Sequence, residues 1–283
     1  MPNKDSLGDR MKGYEQRDQF WLQRRIPVAI RVDMKAGHSF TKGFQRPFDE
    51  VFVKAIQRTA KYMCENIQGA VLSYQQSDEI TIILQDYKTL TTAAWFDYRT
   101  DKLCSIAASM ATMAFNKFFG EEIDNWVEQN FPLDYLGYVS GKISMTNIEL
   151  RENYINSLDR GAMFDARCFN IPKEEVANLI YWRQLDATRN SIQMVGQAYF
   201  SHKELQNKSC NDIQDMLMTQ KTVNWNDFPI YLKRGSCCVR KEFPCAERES
   251  GYKTEWIIDT KIPIFVNEGR DYIENLIFIE SEV

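Results

Sequence analysis

Apolar residues along the chain fall into short β-branched runs separated by longer stretches of helical spacing. Residues 26–32 (Ile-Pro-Val-Ala-Ile-Arg-Val) read as a strand that ends at Asp33. A helix is predicted from Pro47 to about Asn66. Proline suits a first turn, Asp49 and Glu50 suit the N-terminal dipole, and Val51, Ala55 and Ile56 recur on one face. Residues 70–74 and 79–84 then form two strands around the polar turn Gln75-Gln76-Ser77-Asp78, a hairpin pattern. A second long helix is predicted over 98–118, with Leu103, Ile106, Met110, Met113 and Phe118 on a broad face and Ala107, Ala108 and Ala111 permitting close packing. Residues 120–160 read as short helices and a long connection. A further strand at 162–169 precedes a helix from Lys173 to Tyr199.

The resulting order, βαββαβ, is that of a ferredoxin-like α+β sheet. The expected organisation is therefore a catalytic domain over residues 1–170, followed by a helical and C-terminal extension over 171–283 that packs on it. The tail beyond 240 alternates apolar and charged residues and is expected to add strands or an interface.

In a βαββαβ sheet the first and third strands lie side by side at the centre. Asp33, at the end of the first, is thereby brought next to the hairpin that carries Asp78 and Glu79. Two carboxylates held close repel unless a cation lies between them. A pair of Mg²⁺ ions satisfies that requirement and supports phosphoryl-type displacement. The other reading of the same residues is a strand-end turn and a polar hairpin tip; pattern alone leaves both open. The segment Met34-Lys35-Ala36-Gly37-His38-Ser39 offers a glycine-containing turn whose amides suit a triphosphate, or else an ordinary strand-to-helix connection. Arg99 and Lys102 share a helical face near a predicted N-terminus, where they would either hold phosphate or simply be solvated. Trp182-Arg183-Gln184 with Arg189-Asn190 suggests a second basic face. Arg167, Lys233, Arg234, Arg240 and Lys241 would extend a phosphate track, with the aromatic residues serving as core.

Composition narrows the picture. The net charge of −4 gives no support to a general nucleic-acid binder. Seven irregularly spaced cysteines, with no C-x-x-C pair, suggest reduced thiols rather than a disulfide framework or zinc site. Two histidines point toward an oxygen-liganded hard cation. No apolar run is long enough for a membrane span, and the first thirty residues lack a leader pattern. A cytoplasmic protein is the expectation.

Seven stretches, in order over about residues 10–242, resemble the tRNA-His guanylyltransferase family, and more closely its bacterial 3′–5′ polymerase branch. They are Arg31-Val32-Asp33…His38-Ser39-Phe40, Arg46-Pro47-Phe48-Asp49-Glu50, Gln76-Ser77-Asp78-Glu79, Arg99-x-x-Lys102-Leu103, Phe164-Asp165-Ala166-Arg167, Trp182-Arg183-Gln184 and Lys233-Arg234-Gly235. The resemblance implies a polymerase-like palm domain that adds nucleotides to the 5′ end of tRNA. The end is activated with ATP or carries a triphosphate already, and the 3′-OH of an incoming GTP or other nucleoside triphosphate attacks it. It also implies two Mg²⁺ ions on Asp33, the Met34 carbonyl and Asp78, with Glu79 as a supporting acid. Nucleotide contacts would come from residues Asp33, Met34, Lys35, Ala36, Gly37 and His38, together with Arg46, Ser77, Asp78, Arg99 and Lys102, and the assembly would be a homotetramer. Where the family reads D-G-R-x-F-H, this chain has Asp33-Met34-Lys35-Ala36-Gly37-His38. Methionine there would restrict the backbone if a positive φ were needed. The eukaryotic H-I-N-N-L-Y-N segment is replaced by Thr188-Arg189-Asn190-Ser191-Ile192-Gln193-Met194, which favours templated 5′-end repair over dedicated tRNA-His guanylylation. A non-catalytic tRNA- or nucleotide-binding module and a palm-type nucleotide cyclase are the competing readings.

Overall fold

The computed structural model describes residues 6–131, 145–245 and 251–279. Its centre is one antiparallel sheet of order β4-β1-β3-β2-β5-β6. The strands are β1 (Val28–Met34), β2 (Ala70–Gln76), β3 (Glu79–Leu84), β4 (Phe164–Asn170), β5 (Ser236–Pro244) and β6 (Tyr252–Asp259). The first four, in the order 4-1-3-2, make the ferredoxin-like palm sheet anticipated from the βαββαβ pattern. The C-terminal pair widens it, because β5 adds to β2 through Leu72–Gln75 opposite Ser236–Val239. The sheet therefore runs across the expected boundary at residue 170.

Alternation along β1 assigns its two faces. Val28, Ile30, Val32 and Met34 point into a core with Ile80, Ile82 and Leu84 of β3. The helices α3 (Glu50–Asn66) and α4 (Thr100–Asn130) cover that face through Ala55, Ile56, Met63, Leu103, Phe115 and Phe119. The helix α5 (Met145–Arg160) joins them, with Tyr154 and Leu150 buried. The opposite face carries Ala29, Ile83, Leu72 and Tyr74. It is covered by Val176, Ala177 and Ile180 of α6 (Lys173–Tyr199) and by Ile262, Phe265, Ile273 and Ile277 of the C-terminal segment. A third cluster gathers the far half of α6, through Ile192 and Val195, with Ile213, Leu217 and Trp225.

Helix ends follow local chemistry. The carboxylate of Asp49 accepts from Phe52 N (2.9 Å) and Gln45 N (3.0 Å), so α3 starts at Glu50 rather than at Pro47. The Tyr154 hydroxyl donates to the same carboxylate at 2.6 Å, which lets a buried acid serve as a cap. α4 does not stop near Phe118. It passes through Gly120, against which Leu158 of α5 packs, and runs on to Asn130. Of the connection expected within 120–160, residues 132–144 lie outside the described residues. An N-terminal helix α1 (Ser6–Gln16) and a four-residue helix α2 (Gly37–Phe40) have no counterpart in the sequence pattern.

Candidate active site

The rim where β1 ends and the β2–β3 hairpin turns brings Asp33 and Asp78 together. Asp33 is the register partner of Glu79 on one side and of Asp165 on the other. Met34 N donates to Asp78 O at 3.2 Å, and Lys35 N to Met163 O at 2.8 Å, so the chain leaving β1 is clamped by both neighbours. Burial raises the Asp33 pKa to about 6, and the nearby charges of Asp78, Glu79 and Asp165 add to the shift against a smaller opposing effect from Arg167. A buried acid pushed further up by neighbouring carboxylates is in a place that favours a cation.

The turn that follows is built without glycine at position 34. Met34 is a buried strand residue, and the left-handed conformation falls instead on Ala36, at φ 56° and ψ 41°. The restriction anticipated at Met34 therefore does not arise. Gly37 serves close approach instead. A Cβ there would lie 1.9 Å from Asp78 Oδ2, so any larger residue would require that carboxylate to move. α2 begins at this point, and the leading N–H groups of a helix have no acceptor within it. Lys35, His38 and Ser39 are exposed around it, and Ser77, at φ 49°, is exposed at the hairpin tip. The arrangement fits a polyphosphate lying on the turn against the acid pair.

Two hard oxygen ligands on adjacent strand ends fit Mg²⁺, which commonly takes one or two carboxylates and completes its shell with phosphate oxygens and water. Asp33, Asp78 and the Met34 carbonyl are the groups that would hold it. Among the described residues no group of three or more His, Cys, Asp or Glu side chains is arranged as a metal site.

Glu79 sits differently from the other acids. It is buried, with Arg183 Nε donating to its Oε1 at 2.7 Å and Arg31 Nε at 3.9 Å from its Oε2. Arg183 also reaches Asp186 Oδ2 at 3.0 Å. Glu79 is thus neutralised and held rather than offered to solvent. The Trp-Arg-Gln stretch inverts the expectation that its polar residues form an outward basic face. Arg183 and Gln184 are buried, and Gln184 bonds both Pro263 O (2.8 Å) and Phe265 N (3.0 Å), whereas Trp182 is the exposed member. Lys233 also leaves the phosphate track: it is buried against Trp225 and its Nζ donates to Asn226 O.

Arg99 and Lys102 lie at the other end of the sheet. Thr112 Oγ1 accepts from Phe164 N, beside Met34, whereas Thr100 O lies against Cys168, opposite Ile30. About 15 Å of helix separates Lys102 from Thr112, and Arg99 is paired with Asp101 at 2.9 Å. Arg46 is exposed on the loop between α2 and α3, where it lines a cavity of about 360 Å³ with Thr146, Asn147 and Asn153 of α5. Neither place touches the acid pair. Two participants carry no role in the sequence reading. Asp165 adds a carboxylate beside Asp33, and Arg31 adds a cation beside Glu79; both stand within the motifs Phe-Asp-Ala-Arg and Arg-Val-Asp.

Comparison with known proteins decides the family. The sequence profile described as tRNAHis guanylyltransferase matches residues 8–172, more than half of the chain. The chain belongs to the tRNA-His guanylyltransferase family. The Saccharomyces cerevisiae tRNA(His) guanylyltransferase is 25% identical over 232 residues, covering 76% of this chain and 82% of that protein. A bacterial tRNA(His) guanylyltransferase-like protein solved in complex with ATP superposes with a TM-score of 0.75 at 37% identity, covering 97% of this chain and all of that one. A bacterial guanylyltransferase-like protein in complex with GTP gives 0.74 at 35% identity over the same shares. The palm-like fold of this chain is therefore that of the guanylyltransferase family, a family of nucleotidyltransferases acting on tRNA. No described helix is long and apolar enough to cross a membrane.

Proposed function

We propose that this chain catalyses template-directed 3′–5′ nucleotide addition to the 5′ end of tRNA, as a 5′-end repair enzyme of the cytoplasm working as a homotetramer. The observation that carries the reading is the convergence of Asp33 and Asp78 at one rim of the palm, with Gly37 opening the turn beside them. Two bound Mg²⁺ ions would stabilise the attacking and leaving oxygens of an in-line displacement. Asp33, the Met34 carbonyl and Asp78 orient that centre, and Glu79, fixed by Arg183 and Arg31, keeps the hairpin strand in register. The turn from Lys35 to His38, with Ser77, receives the triphosphate of ATP during activation and of GTP or another nucleoside triphosphate during addition. In the second step the incoming 3′-OH forms a bond to the 5′ phosphorus of the RNA. The bond to pyrophosphate, or to AMP from the activated end, breaks, and the hydroxyl proton passes to solvent. Arg46, Arg99 and Lys102, away from the acid pair, are assigned to the RNA backbone.

The likeness to guanylyltransferase-like proteins solved with ATP and GTP supports the nucleotide assignment. The altered 34–37 turn is the argument for a non-catalytic module, and Ala36 answers it by supplying the left-handed residue that the turn uses. The deciding experiment incubates the protein with a 5′-truncated tRNA, Mg²⁺ and labelled nucleoside triphosphates. Extension at the 5′ end is the expected product. Bound but unextended tRNA would leave the non-catalytic reading standing, and cyclic nucleotide formed without RNA would identify a cyclase.

A further inference from the structure

Trp182 stands open beside the acidic cluster, with 54% of its surface exposed. Its ring is fixed by two cations: Arg183 Cζ lies 4.6 Å and Arg31 Cζ 5.9 Å from the ring centroid. Arg183 is itself anchored on Glu79 at 2.7 Å, so the indole is tied to the strand that follows Asp78. Arg31 and Asp33 share one face of β1, about 7 Å apart along the strand. Their register partners on β4, Arg167 and Asp165, are both exposed. The α6 side of the sheet is thus open over the rim of β1 and β4, and it presents a flat ring, the exposed guanidinium of Arg167 (3.6 Å from Asp165 Oδ1) and the acid pair.

The triphosphate turn lies on the other side. Phe40 of α2 packs into the core under α3 and α4, and Gly37 abuts Asp78 from there. Two substrates meeting at Asp33 and Asp78 therefore approach from opposite sides of the strand end. The α2 side is shaped for polyphosphate and the α6 side for a planar group next to a phosphate.

We infer that Trp182 is the stacking platform for the nucleobase at the 5′ end of the RNA, with Arg167 beside it on the phosphate of that strand. This assignment rests on the nucleotidyl-transfer reading above and names which substrate lies on which side. The two guanidiniums against the ring restrain it before RNA arrives, and a restrained ring loses little freedom on stacking. Any of the four bases has a face that suits it, as 5′ ends of different sequence require.

The test measures equilibrium binding of a 5′-truncated tRNA and, separately, of ATP to the wild type, Trp182→Ala and Trp182→Phe. Each is also measured in an Asp33→Ala background, where turnover cannot alter the ligand. Trp182→Ala is expected to weaken tRNA binding about 5- to 150-fold, the range for one base on an aromatic ring, while Trp182→Phe keeps most of the affinity and ATP binding is unchanged. Undiminished tRNA affinity in Trp182→Ala would overturn the inference. So would a loss that falls on ATP, or an equal loss in the Phe and Ala variants accompanied by a lower melting temperature. If no tRNA is ever extended yet Trp182→Ala still loses tRNA, the platform stands and the polymerase reading falls.

Discussion

Arg183 Nε donates to Glu79 Oε1 at 2.7 Å across an interface that joins the middle of α6 to the first residue of β3. Both side chains are buried, and Arg31, at 3.9 Å, is the second cation facing that carboxylate. Removing one partner of a buried pair strands the other, which costs about 3–5 kcal/mol where no replacement is near. Arg183→Met is expected to approach that loss, moderated by Arg31, in chemical denaturation. Arg183→Met combined with Glu79→Leu is expected to recover most of it, because an apolar pair carries no stranded charge. A double variant no more stable than the single one would show that the ion pair is not the link.

Asp33 carries a penalty that the proposed metal-binding role would account for. Its pKa in the folded chain is about 6 against an ordinary 3.8, so the folded state holds the proton more tightly than the unfolded chain does. The sign follows: stability is fully retained below about 4, declines as pH rises toward about 6, and stays reduced above it. In metal-free buffer at pH 7, Asp33→Asn is expected to be more stable, on the order of 1 kcal/mol once solvent screening of this half-buried group is allowed for. The two proteins should melt together near pH 4. Nucleotide addition by Asp33→Asn should fall to background.

Gly37→Ala sets a methyl group where Asp78 Oδ2 now lies. The carboxylate or the turn must shift, and displacing a catalytic group by about 1 Å costs on the order of 100-fold in rate. The expected result is a loss of that size in nucleotide addition with far-ultraviolet circular dichroism unchanged. Met34→Gly, by contrast, restores the family residue at a position that needs no left-handed backbone. It removes a buried strand side chain and should lose about 2–5 kcal/mol of stability with no gain in activity.

Lys102 sits about 15 Å along α4 from Thr112, the residue that touches the active rim, and Arg99, just before the helix, is farther still. Arg99→Ala and Lys102→Ala should leave ATP affinity unchanged and weaken tRNA binding, with a shallower dependence on salt. A tenfold loss of ATP affinity in either variant would return them to the nucleotide site.

The four palm strands and the helix that follows them are legible in the sequence because their patterns are local: β3 is buried throughout at the sheet's centre and apolar at four of its six positions, and α6 keeps an apolar stripe from Val176 to Val195. Local signals mislead where packing from elsewhere decides. The helix expected over 98–118 instead passes Gly120, on which Leu158 from α5 packs, and continues to Asn130. The acid pair is legible from the positions of Asp33 and Asp78 at strand ends. The roles of Glu79 and Arg183 are not, because 104 positions separate them and no local pattern reports a buried ion pair at that distance. Ala36 likewise gives no sign in sequence that it, rather than a glycine, bears the left-handed backbone.

β5 lies against β2 through Leu72–Gln75, and Gly235 leads into it where a Cβ would strike the Gln75 carbonyl at 2.4 Å. A chain cut short after Gly235 would leave the main-chain amides and carbonyls of β2 without partners along one flank. That flank ends at Gln76, one step from the hairpin that carries Asp78. An open strand margin invites pairing with other chains, so the shortened protein is expected to self-associate and to lose the alignment of its acidic hairpin together.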